Sequence, residues 1–301
     1  MTKRLCRQIG FGKPLLFWGF SLAFGLSRRT SMCSALSSHI LSLLYNQYYF
    51  IFAILPILLF FCGSVMEDDP IIFVLRYGSY KHYFTSKWRS LGVLCSGLWL
   101  GQITILFVTG AGLSVIKQGW DDFSGSSLLK EIAPLLVKSF PGAWVAVFCA
   151  AVYMLMGYWL IALLTLWLGH FLQRQKAIKV LLALYILTIL SIKLPIMSRP
   201  PFCYLTGINH WVLLLHNLTA GWRFPLTVIV TLLFVVTVIC SIQGGWRSAA
   251  HHHRISKGLP AYYRHILFSA SNFLVLAISL ALLVAWVWCS GGVPIDGREW
   301  V

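Results

Sequence analysis

The residues able to do proton or metal chemistry are few, and their placement says more than their number. Eight carboxylates serve the whole 301-residue chain: Glu67, Asp68, Asp69, Asp121, Asp122, Glu131, Asp296 and Glu299. All eight fall in polar stretches or near the C-terminal end, outside the long apolar runs. Proton- or sodium-driven transporters hold an ionisable group inside the membrane, where its cost is tolerated for function. No apolar run here carries a carboxylate, and Lys193, near the end of one, is placed to snorkel. An ion-driven mechanism is therefore not expected. No His-Glu-x-x-His string occurs, which removes the usual membrane zinc hydrolase. A phosphate-cradling loop needs Gly-x4-Gly-Lys-Ser/Thr. The nearest string, Gly10-Phe11-Gly12-Lys13-Pro14, lacks both the spacing and the hydroxyl. Any ATP must then be hydrolysed by another chain.

Histidine leaves one alternative open. His210 and His216 flank an apolar stretch, with His39 and His170 near the ends of others. A histidine pair on facing helices can hold haem, so a haem- or quinone-binding subunit is a rival reading. His251, His252 and His253 sit in a basic loop and read as part of its solvated surface. Cys6, Cys33, Cys62, Cys95, Cys149, Cys203, Cys240 and Cys289 are scattered singly. Without a Cys-x-x-Cys or a Cys/His cluster they read as small apolar packers rather than ligands.

The elements that position these residues follow from composition. The chain is 58% hydrophobic and only 11% charged, against roughly 25% charged for a soluble domain. Its surface must face lipid. About 20 apolar residues in a helix cross a hydrocarbon core of roughly 30 Å, and no alternating short segments suggest a β-barrel. The expectation is an all-α polytopic membrane protein, a single transmembrane domain over 1–301 with six to seven spans. These are placed near 14–32, 48–66, 91–116, 143–168, 180–197, 225–242 and 266–289. The first is short and follows a basic start, as a signal peptide would, but no small-x-small cleavage site follows it.

The charge excess of +16 gathers between the apolar runs. There it sets orientation and meets anionic membrane lipid; a nucleic-acid partner is not expected. Putting the N-terminus inside places 15 of the 24 Lys and Arg on the cytoplasmic side. That gives a multi-pass plasma-membrane protein with a cytoplasmic N-terminus.

The stretch Glu67 to Arg89 carries the sharpest local signal. Asp69 followed by Pro70 is a helix start, with an acceptor at the N-cap and proline at the first helical position. Phe73, Tyr77, Tyr80, Phe84 and Trp88 then recur at helical spacing. Arg76, Lys81, Lys87 and Arg89 fall mostly on other faces, so 69–88 reads as an amphipathic helix. It could simply lie among the headgroups, or it could dock in a groove on a cytoplasmic partner.

From Ile40 through Arg89 the chain resembles the membrane subunits of type-2 ABC exporters. The likeness is greatest to small permeases of bacterial peptide, bacteriocin or lantibiotic export and immunity systems. The matching features are an apolar run with a central Pro56, an acidic turn at Asp68 and Asp69, the string Arg76-Tyr77-Gly78-Ser79, and a basic aromatic tail through Lys81 and Trp88. The resemblance implies that 69–88 is a coupling helix between spans two and three. Its ATPase-coupling residues would be Asp69, Pro70, Phe73, Arg76, Tyr77, Tyr80, Lys81, Phe84 and Trp88. It further implies that Arg199 to Phe224, with Pro200, Pro201, His210, Trp211 and His216, forms a short extracytoplasmic re-entrant region. The implied partners are cytoplasmic ATPase subunits, which would hold the ATP and Mg, and a second permease copy or paralogue. This chain would be non-catalytic and bind no cofactor or metal of its own. Two features depart from the family: Tyr80 stands where a second basic residue is common, and a seventh span exceeds the six-span plan. A passive immunity or scaffold protein that binds a peptide without pumping it is a further rival.

Overall fold

The computed structural model describes residues 2–29, 35–66, 80–115, 127–172, 174–193, 208–214 and 223–243. Ten helices run through them. They are α1 (Thr2–Ile9), α2 (Gly12–Arg29), α3 (Leu36–Leu44), α4 (Gln47–Gly63), α5 (Tyr80–Thr109), α6 (Ser127–Ser139), α7 (Ala143–Phe171), α8 (Arg174–Lys193), α9 (Ile208–Val212) and α10 (Arg223–Gln243). No strand forms among the described residues; one isolated bridge pairs Ala35 with Ser114.

By length and apolar composition, α5 and α7 can cross a membrane, and α3 with α4 makes a third if that bent pair is one span. Six to seven were expected. Charge near the helix ends explains part of the gap. The 18 residues of α2 include Lys13, Arg28 and Arg29, and α8 carries Arg174, Lys176 and Lys179 in its first turns and ends at Lys193. In α10 the apolar stretch is Thr227–Val238. The expected span 266–289 lies outside the described residues.

The expected boundaries differ from the helices most around the second and third spans. The run expected at 48–66 belongs to a helix pair bent by 50° at its break. Asn46 makes that break: its backbone is extended, and its Oδ1 accepts the Tyr49 N–H at 2.8 Å, capping the new helix. Phe50–Ile54 then widens into a π turn just ahead of Pro56. Proline has no N–H to give and its ring crowds the preceding turn, and a widened turn relieves both. The third span was expected to start at Leu91, after a separate helix ending near Trp88. Instead Tyr80–Thr109 is one unbroken 30-residue helix. Nothing from Trp88 to Leu91 is a Gly or Pro, so the chain has no local reason to stop.

Helix α7 is the centre of the bundle, packing against α3, α4, α5, α8 and α9, while α5 packs against α1 and α2 as well. Glycines allow the close approaches, as small residues do wherever helices associate in lipid. Gly92 of α5 lies under the Trp159 ring, Gly101 meets the Trp18 indole, and Gly157 meets the backbone of α9 at Trp211 and Val212. The indoles then staple neighbouring helices with their N–H groups. Trp18 donates to the Leu98 carbonyl (3.2 Å), Trp88 to that of Trp159 (3.3 Å), Trp99 to that of Ala151 (2.9 Å), and Trp159 to Ser96 Oγ (3.0 Å). Each ring supplies apolar area and also satisfies its one donor.

The Gly92–Trp159 contact makes a test. A Cβ on Gly92 would sit 2.8 Å from three atoms of the Trp159 ring, which is held by its own hydrogen bond. Gly92→Ala should destabilise the fold by about 1–3 kcal/mol, read as earlier unfolding in SDS titrations. Gly97→Ala, where nothing lies within 4 Å, should unfold like the parent. Equal behaviour of the two variants would refute the packing.

Candidate functional site

Two features stand out from the helices upward, and the first is an end of the bundle. Met66, just past α4, lies against Gly169 near the end of α7. The Phe84 ring stands edge-on to His170 with centroids 6.0 Å apart. Lys13 donates to the Ile9 carbonyl at 2.6 Å, and its ammonium lies 4.8 Å from the centre of the Phe60 ring. These contacts gather the start of α2, the end of α4, the start of α5 and the α7–α8 junction at one place. Helix α1 packs there too, along α5, with Leu5 and Ile9 buried and Arg7 exposed.

The elements meeting at this end carry Lys3, Arg4, Arg7, Lys13, Lys81, Lys87, Arg89, Arg174, Lys176 and Lys179, and no carboxylate among the described residues. At the opposite end Leu36 N–H donates to Ser114 O (3.0 Å), Arg29 Nη2 donates to Ala111 O (2.6 Å), and Phe107 stacks on Trp144. That end is the poorer in cations, with Arg28, Arg29, Lys130, Lys138 and Lys193 on its helices.

The second feature is a chain of hydrogen bonds sealed inside the bundle. Tyr158 OH donates to Gln102 Oε1 at 2.7 Å, and Gln102 Nε2 donates to Tyr49 OH at 3.2 Å. Tyr49 OH donates to Ser21 Oγ at 2.7 Å, and Ser21 Oγ donates to the Phe17 carbonyl at 2.9 Å. Tyr158, Gln102 and Ser21 are 0% exposed and Tyr49 2%. One residue comes from each of α7, α5, α4 and α2. Phe24 stacks on the Tyr49 ring at 4.3 Å and Phe17 stands edge-on to Tyr158, so the polar chain is wrapped in aromatic surface. The line links hydroxyls and an amide, each passing a hydrogen bond to the next helix, with no carboxylate or imidazole in it.

The sequence-predicted residues divide between these places. Tyr80 and Lys81 open α5 at the basic end. Phe84 is buried against His170, and Trp88 makes an edge contact with Trp159. Phe84 and Trp88 of the aromatic stripe therefore pack inward on α7, while His82 and Arg89 on other faces of α5 are exposed. His210 and Trp211 lie on α9, against the middle of α7, where Tyr153 OH donates to the His210 carbonyl. Trp211 also meets Phe234 of α10, centroids 5.3 Å apart. Asp69, Pro70, Phe73, Arg76, Tyr77, Pro200, Pro201 and His216 lie outside the described residues. Of the other histidines considered for haem, His39 bonds Thr109 Oγ1 at 3.2 Å through Nε2, at the end of the bundle away from His170. No group of three or more potential metal ligands forms among the described residues.

Sequence reasoning passed over Ser21, Tyr49, Gln102 and Tyr158. The available signal was Gln102 itself, an amide in the middle of the apolar run from Leu91 to Ile116. No protein-family model, curated protein or solved structure matches the chain.

The sealed chain predicts non-additive energetics. Gln102→Leu strands the Tyr158 hydroxyl, while Tyr49 keeps its bond to Ser21, and Tyr158→Phe strands one amide oxygen, each at about 1–3 kcal/mol. The double variant should cost less than the two single costs added, by about 0.5–2 kcal/mol. Strict additivity in SDS unfolding would show that the two side chains do not interact.

Proposed function

We propose that the chain is the non-catalytic membrane subunit of an ATP-driven exporter of the type-2 ABC class. Separate cytoplasmic ATPase chains would supply the energy, and a second copy or paralogue would complete the permease. One observation carries this reading. The two flanks of Glu67–Ser79, Met66 and Tyr80, belong to the end of the bundle where ten cations collect without a described carboxylate. Cation-rich ends face the cytoplasm, so the segment with the exporter-like string Arg76-Tyr77-Gly78-Ser79 would face the compartment where an ATPase works.

The continuity of α5 gives the coupling a mechanical form. A push at Tyr80 acts on a rod of 30 residues, about 45 Å long at 1.5 Å per residue. Trp88 and Trp159 engage it with α7. With no break at Trp88–Leu91, load at the basic end reaches Thr109 as a tilt of α5 rather than being lost in a hinge. The inward-turned Phe84 and Trp88 are then the transmission, and the partner-facing work falls to residues before them and to exposed positions such as His82 and Arg89. The translocation path would be lined by aromatic and apolar side chains, which suit an amphipathic peptide or lipid-like substrate. The basic cytoplasmic end would also lie among anionic headgroups.

The protein purified from its native membrane should bring down an ATPase subunit. The charge reversals Arg76→Glu and Lys81→Glu together should leave the amount and folding of the protein unchanged but uncouple ATP hydrolysis from export. Retention of full export by the double variant, or purification with no ATPase under mild detergent, would overturn the proposal.

A further inference from the structure

Two cysteines from different helices meet inside the bundle. Cys62, in the last turn of α4, and Cys95, in the middle of α5, have their Sγ atoms 3.9 Å apart, and both residues are 0% exposed. Cys6 is exposed and Cys149 partly buried. A disulfide needs its sulfurs near 2.05 Å, so these must close by just under 2 Å, a movement within reach of side-chain rotation and a small helix shift. Cys62 sits about two turns past the π turn and Pro56, in the regular last turns of α4. The two positions also stand on either side of Glu67–Ser79 in sequence, 33 residues apart.

We propose that Cys62 and Cys95 are an oxidisable dithiol pair, whose disulfide ties α4 to α5 and closes a loop around the 67–79 segment. The oxidant class that suits a buried, lipid-surrounded pair is a membrane-soluble quinone. The two thiols give up two protons and two electrons, the S–S bond forms, and the quinone leaves as its hydroquinone. No water or aqueous base enters the balance. Because both sulfurs are enclosed, the reaction occurs when the α4–α5 contact opens, and the finished bond then holds that contact shut. The chemistry stands independently of the transport reading.

The test is a thiol count on the full-length protein in lipid nanodiscs. A short-chain, fully substituted ubiquinone analogue is added, its competence shown beforehand on dithiothreitol. Maleimide labelling in SDS should fall from the eight cysteines of the chain to six, and reducing agent should restore it. Non-reducing peptide mapping should recover one linked species joining the Cys62 and Cys95 peptides. Cys62→Ala and Cys95→Ala should each keep all seven remaining thiols through the same treatment. A parent count that stays at eight, or a loss that maps to any other pair, would overturn the proposal.

Discussion

A polar side chain in a lipid-surrounded interior must find its partner within the protein, because no water waits there to take its place. The line Tyr158–Gln102–Tyr49–Ser21 obeys that constraint completely along its length. Its members come from four helices, so satisfying the hydrogen bonds and fixing the helix positions are one event. A slip of any one helix by a turn would leave a hydroxyl or an amide unpaired in apolar surroundings. The aromatic rings of Phe17 and Phe24 close over the line, which keeps the interior apolar around it and gives the misaligned state no alternative partner.

Around that line the bundle is built from paired small and large residues. Glycines on α5 and α7 take the faces of tryptophans or the backbone of a crossing element, and the indole N–H groups spend their donors on neighbouring helices. Lipid tails are as apolar as leucine, so burial of greasy surface alone does little to join helices in a membrane. Close packing and interhelical hydrogen bonds must do it, and α5 and α7 use both. The consequence for function is stiffness. An unbroken α5 joined to α7 at Trp88 and Trp159 can carry a displacement from the basic end into the bundle, which is what the proposed subunit, driven by separate ATPases, would require.

The helical class and the membrane character were legible because they depend on average composition and run length. The cationic end was legible from charge alone, since Lys and Arg cluster between apolar runs. The break at Asn46 was not. Pro56 is the helix breaker in the run expected at 48–66, yet the bend lies ten residues earlier, at the capping asparagine. Phe84 and Trp88 lie four residues apart on α5 and share a face, but periodicity says which residues share a face and not what that face meets. In the structure it meets α7, through His170 and Trp159. Gln102 and Tyr158 lie 56 residues apart, and Ser21 and Tyr49 28 apart; pairings at such distances follow from the assembled bundle and leave no local trace in the chain.

The central claim is that the cation-rich end of the bundle faces the cytoplasm, since the proposed coupling role depends on that orientation. Single cysteines placed at each end of a cysteine-free background would decide it, with a membrane-impermeant maleimide applied to right-side-out and inverted vesicles. Lys176→Cys, exposed beside the start of α8, should label only in inverted vesicles, and Val115→Cys, 55% exposed at the other end, only in right-side-out ones. The reverse pattern, or labelling of both positions from the same side, would contradict the account.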